Sequence, residues 1–199
     1  MSYTDVTKRL KTTSTSVARK RILKTATELF YYKGIRAVGV DQIIYQAHVT
    51  RVTFYRHFAS KDQLIVAYLE QKDADIRAIF NQAYQSLSSP EAILQAIITG
   101  VSEEACKFGS RGCPFINAAA EFSEPAHPAR LVVTSHRTWF RNAVLRLFQQ
   151  MTHPQPEAAA DAFILLRDGL MTSSHLDDPN KAILTFLDKT AGLITSAIH

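Results

Sequence analysis

Hydrogen-bond donors and positive charge crowd into one short stretch of this chain. Thr50, Arg51, Thr53, Tyr55, Arg56 and His57 lie within it, Val52 stands among them, and Lys61 follows shortly after. Phe54 and Phe58 are spaced i, i+4, so a helix through this stretch turns both rings inward and the polar side chains outward. That mixture suits the edge of a nucleic-acid duplex. An arginine can donate two parallel N–H groups to guanine, hydroxyls and methyls meet other bases, and a phenol OH or an ammonium meets phosphate. The bland alternative makes Tyr55 and Phe58 core aromatics, with Arg56 and Lys61 merely solvated. It must also account for the tight turn and the charge distribution described below.

A second group lies in the later part of the chain. Phe115, Asn117, Trp139, Phe140, Phe163 and Arg167 combine aromatic walls with a few polar groups, the composition of a pocket for a small organic molecule. Any one of these aromatics could instead fill the core, and Arg167 could pair with Asp168, Asp161 or Glu121. Cys113 follows Arg111-Gly112 where a helix begins, a setting that favours a reactive thiol and would suit redox sensing; a small buried side chain is the commoner role. His127, His136, His153 and His175 have no metal-ligand spacing, and Cys106 and Cys113 form neither a metal motif nor a disulfide scaffold. There is no Gly-rich phosphate loop, Gly-x-Ser-x-Gly elbow or His-Glu-x-x-His. The expectation is therefore no catalytic residue, no metal and no cofactor.

The elements that position these groups are helices. Residues 1–15 lack an apolar period and suggest a flexible basic arm. Ile22, Ala26, Leu29 and Phe30 then form one apolar stripe, closed by Lys33-Gly34. Val40, Ile43, Ile44 and Ala47 predict a short second helix, and Thr50 caps a third reaching about Phe58. Ala47-His48-Val49-Thr50 is the tight turn between them, so residues 16–62 form a helix-turn-helix. Ser60-Lys61-Asp62-Gln63 reads as a capping box opening a long helix, and residues 63–199 form a larger domain. Pro90, Pro128, Pro154, Pro156 and Pro179 punctuate the helices that follow, and Cys113 to Phe122 is a short one. No period-2 strand is convincing. The fold expected is all-α, with about nine helices.

Charge divides with these domains. Residues 1–62 carry 12 Lys and Arg against 4 Asp and Glu, and residues 63–199 carry 11 against 14. The net +5 is thus a basic first third joined to a mildly acidic remainder, as expected where one segment approaches a polyanion. With 46% apolar residues the chain can bury a core, and no apolar run approaches the roughly 18 residues that cross a bilayer. The first residues show no apolar leader, so the expectation is a soluble cytoplasmic protein that makes no membrane contact.

From Val40 through Phe58, then Ser60-Lys61-Asp62-Gln63-Leu64, with Leu29-Phe30 and Lys33-Gly34 ahead of them, the sequence resembles the tetracycline-repressor (TetR) family of transcriptional regulators. The likeness covers about residues 16–68, and the run Phe54-Tyr55-Arg56-His57-Phe58 with Ser60-Lys61 is its most specific part. The resemblance implies that Tyr55 and Lys61 contact phosphates, that Arg51, Val52 and Thr53 face bases, and that His57 meets the backbone. Two positions depart from the family. His48 stands where glycine is usual in a turn that often needs positive φ, and Gly39 replaces a hydroxyl N-cap.

Beyond about residue 70 the resemblance fades. Residues 157–174, with Phe163, Ile164, Leu165, Leu166, Leu170 and Met171, are apolar around most of a helix, and the last helix is similarly broad. Two such helices from each of two chains would make a four-helix homodimer interface, as is typical of the family; burial in one large monomeric core is the alternative. The function expected is a ligand-responsive repressor that binds a palindromic double-stranded DNA operator as a dimer and is released by a small-molecule effector. The rival readings are an enzyme seated in the later domain and a DNA-organising protein that ignores ligands.

Overall fold

The computed structural model describes residues 3–107 and 109–196, with side chains described from Val17 onward. Among these residues the chain forms nine helices and no strand. They are α1 (Tyr3–Lys33), α2 (Val40–Gln46), α3 (Arg51–His57), α4 (Lys61–Ser86), α5 (Pro90–Cys106), α6 (Pro114–Glu121), α7 (Pro128–Gln150), α8 (Pro156–Leu176) and α9 (Pro179–Thr195). No helix among the described residues is long and apolar enough to cross a membrane.

The helix ends follow from local chemistry. Thr50, Ser60, Ser89 and Asp178 each accept a backbone N–H with their side chains at the starts of α3, α4, α5 and α9. Gly39, with no side chain to offer, starts α2 without such a bond. Ser60 Oγ accepts from the Gln63 N–H at 3.1 Å, but Gln63 Oε1 reaches back to the Ala59 N–H at 3.0 Å, one residue before the usual partner. Gly34, at φ +90, ends α1.

The segment expected as a flexible arm is helical from Tyr3, in one piece with the rest of α1. Once a helix is nucleated, each added residue costs little, and no Gly or Pro interrupts the run from Tyr3 to Lys33. Residues 1 and 2, and the side chains through Ser16, lie outside the described residues.

Packing divides the chain into a head and a body that share one core. In the head α1 packs on α2, α3 and α4, burying Ile22, Ala26, Phe30, Ile43, Ala47 and Phe54. In the body α7 packs on α4, α5, α6 and α8, and α9 lies against α8 and α5. α4 belongs to both: its Tyr68 ring meets Phe30 of α1 edge-on at 5.7 Å. α8 and α9 nevertheless leave Leu165 73%, Leu176 71% and Leu184 69% exposed on a single chain, although other residues of the same helices are core.

Candidate nucleic-acid interface and cavity

α3 owes its posture to its two buried rings. Phe54 and Phe58 are 0% and 2% exposed, their centroids 6.3 Å apart, and each contributes roughly 1.5–3 kcal/mol by burial. The turn from α2 into α3 needs a left-handed residue, and His48 takes it at φ 49. Arg21 of α1 donates to the His48 carbonyl at 3.1 Å, which ties that turn to the first helix.

With the rings inside, Arg51, Val52, Tyr55 and Arg56 are exposed, and Thr53 and His57 are half-buried. Exposed Thr50 spends its hydroxyl on the cap, accepting the Thr53 N–H at 3.1 Å and meeting the Thr53 hydroxyl at 2.9 Å. Arg51 forms an exposed ion pair with Asp41 of α2. Burial, then Arg56 and Arg19, pushes the His57 imidazole below its ordinary pKa, which favours its neutral form. Lys61 is half-buried at the start of α4 with its ammonium 3.5 Å from the Arg36 carbonyl. Its own burial lowers its pKa, against the pull of Glu121 and Asp62. All eight expected DNA-contact residues therefore lie on or just beside α3. Asp41 and the 79% exposed Tyr45 add α2 to this surface. Sequence reasoning missed both: Asp41 reads as an ordinary first-turn acid, and Tyr45 lies outside the apolar stripe of Val40, Ile43, Ile44 and Ala47.

Behind the head lies a cavity of about 520 Å³. Tyr31 of α1, Phe80 of α4, Val101 of α5, Cys113 before α6, Phe140 of α7 and Met171 of α8 all line it. Of the expected pocket residues, Phe140 and Arg167 are on its wall. Phe115, Asn117, Trp139 and Phe163 are not. The Phe115 ring stacks on His136 at 3.7 Å, and Asn117 Nδ2 donates to the Arg111 carbonyl at 2.8 Å. Trp139 sits under the Arg77 guanidinium at 4.2 Å, and fully buried Phe163 lies between Phe140 and Phe186.

Arg167 settles its three candidate partners in favour of Asp168, to which it donates at 2.8 Å; Asp161 pairs with Arg141 instead. A second N–H of Arg167 meets Cys113 Sγ at 3.2 Å. Burial works against the guanidinium's charge, but Cys113 and Asp168 outweigh it and raise the Arg167 pKa.

Glu121 grips the head. Its carboxylate accepts the Ile35 and Arg36 N–H groups at 2.9 and 2.6 Å, just after the end of α1. At the other end of α6, Tyr31 OH donates to the Gly112 carbonyl at 3.1 Å and accepts the Arg111 N–H at 3.0 Å. Gly112 is required there: at φ +71, an added Cβ would stand 2.3 Å from the Met171 carbonyl oxygen. Among the described residues no three His, Cys, Asp or Glu side chains cluster as metal ligands.

A helix-turn-helix head whose first helix also walls a cavity in a helical body defines a DNA-binding transcription regulator. Residues 22–68 match the model of the bacterial regulatory proteins of the tetR family. The solved structure of SCO4454, a TetR-family transcriptional regulator from Streptomyces coelicolor, is 41% identical, with a TM-score of 0.89 over 92% of this chain and 97% of that one. The transcriptional regulator AcuR of Cereibacter sphaeroides is 26% identical over 81% of this chain and 78% of its own length. The regulator LmrA of Bacillus subtilis is 29% identical over 57% of this chain and 61% of its own. The chain belongs to the TetR family of transcription regulators and is not an enzyme.

Proposed function

We propose that this protein is a cytoplasmic repressor that binds a palindromic operator as a homodimer and is released when a small organic molecule fills the cavity. The observation that carries this reading is the double duty of α1, which packs under α3 and also presents Tyr31 to the cavity. A dimer through α8 and α9 covers Leu165 and Leu184 and sets two α3 helices roughly 34 Å apart, as successive major grooves require. A ligand that favours a different placement of Tyr31 and α6 moves residues 35 and 36 through Glu121, and the two recognition helices lose their common register. The shift extends only as far as the ligand discriminates between the two arrangements.

Footprinting on genomic DNA with purified protein tests this reading. A few protected palindromes, freed by specific small molecules, are expected. Many unrelated sites indifferent to any small molecule would overturn it. On such an operator Arg51→Ala should reduce specific binding by ten- to a hundredfold while changing affinity for random duplex far less. Equal losses on both would remove Arg51 from base reading.

A further inference from the structure

We infer that the cavity takes a monoanionic organic ligand, an apolar body carrying one carboxylate, which Arg167 receives at the buried end. This rests on the effector-responsive reading above and names the chemistry of that effector.

The cavity runs from an exposed rim to a buried floor, and the two differ electrically. At the rim, Lys72 and Lys107 stand among Glu28, Asp75 and Glu104, and Lys107 is already paired with Glu104, so the rim does not attract an anion and any preference for one has to arise at the floor. Its walls, among them Ile76, Phe80, Ile97 and Val101, are apolar. At the floor, Arg167 is only 8% exposed. Its sole carboxylate partner among the described residues, Asp168, is shared, because Arg137 holds the other oxygen at 2.7 Å. Beside Asp168, Arg167 meets Cys113 Sγ at 3.2 Å, a weak acceptor rather than a second carboxylate. Asp73 is engaged by Arg77 and His136, and burial keeps His136 below its ordinary pKa and so neutral. Two guanidiniums therefore face one carboxylate, and Arg167 Nε, itself buried, has no hydrogen-bond partner among the described residues.

A buried cation costs free energy until an anion or a full set of acceptors meets it. A carboxylate matches the planar fork of a guanidinium with two oxygens and cancels one charge. A dianionic phosphate would leave a charge uncompensated among apolar walls, which selects the carboxylate. The volume is in the range that encloses small drug-sized molecules.

The test is isothermal titration of the full-length protein with phenylbutanoate, naphthoate and decanoate, each beside its own primary amide. At least one acid should bind, roughly ten- to a hundredfold tighter than the amide of the same shape. Arg167→Met should abolish that preference and Arg167→Lys should retain part of it. Circular dichroism reports whether each variant folds, and the wild-type comparison of acid with amide stands without either. Failure of every acid to bind overturns the inference. Equal binding of acid and amide also overturns it. An acid that binds with the expected preference but leaves the operator complex intact spares this inference and sinks the released-repressor reading instead.

Discussion

Arg51 and Lys61 carry the same charge a short distance apart, yet their surroundings give them different work. Arg51 opens α3 on an exposed face, whereas Lys61 is half-buried at the start of α4 with its ammonium near a backbone carbonyl. A fixed charge beside the groove neutralises phosphate whatever the bases. Lys61→Ala should therefore weaken binding to all duplexes alike and reduce the slope of log K against log salt by about one; an unchanged slope would remove Lys61 from the phosphate contacts. His136 offers a test of stability. Burial lowers its pKa from 6.5 despite Asp73, and its Nδ1–H is donated to that carboxylate at 2.7 Å. The unfolded chain, with the ordinary value, takes up the proton first, so native stability is full above about pH 6.5 and falls as the pH drops below it. His136→Gln retains a hydrogen-bond donor but cannot titrate. Thermal melting followed from pH 7 to about pH 5 should show a shallower loss in the variant than in the wild type.

α6 is short, but both its ends have partners in the head. Its first turn is held through Gly112 to Tyr31, and its last residue, Glu121, holds the N–H groups of Ile35 and Arg36. Glu121→Ala leaves those two donors without their carboxylate. Chemical denaturation should register a loss of about 1–3 kcal/mol, because hydrogen bonds to a charged acceptor are the stronger kind. The same variant should also respond less to any effector, since its head is no longer drawn along by α6. Operator affinity measured with and without effector checks the second point, and an undiminished response would show that the signal travels by another contact.

For the molecule as a whole, the question is what covers α8 and α9. Leu165 and Leu184 are too exposed to belong to the core of one chain, while Phe163 and Phe186 on the same helices are fully inside it. A double Leu165→Glu, Leu184→Glu variant should sediment as a monomer. Its operator binding should fall at least tenfold, because one α3 helix alone reaches a single half-site. A variant that remained dimeric would move the interface elsewhere. Both leucines point away from the core, so the monomer fold should survive the change.

Much of the head was determined by local sequence. Thr50 and Ser60 lie directly before the helices they cap, the pairing of Phe54 with Phe58 is a matter of helical period, and the strained turn at His48 follows from the short link between two helices. The breadth of apolar residues on α8 was likewise visible, since a helix records its own circumference. The cavity was not. Which aromatics face a void depends on how helices distant in the chain settle against one another. Phe115, Trp139 and Phe163 went into packing, while Tyr31 and Met171, which carry no local mark, became wall. Glu121 is the clearest case: its partners lie 85 and 86 residues away, and no periodicity or capping rule spans that distance. Only the folded chain brings that carboxylate to the end of α1, because the position is set by the packing of α6 on α4 and α7 rather than by its own neighbours.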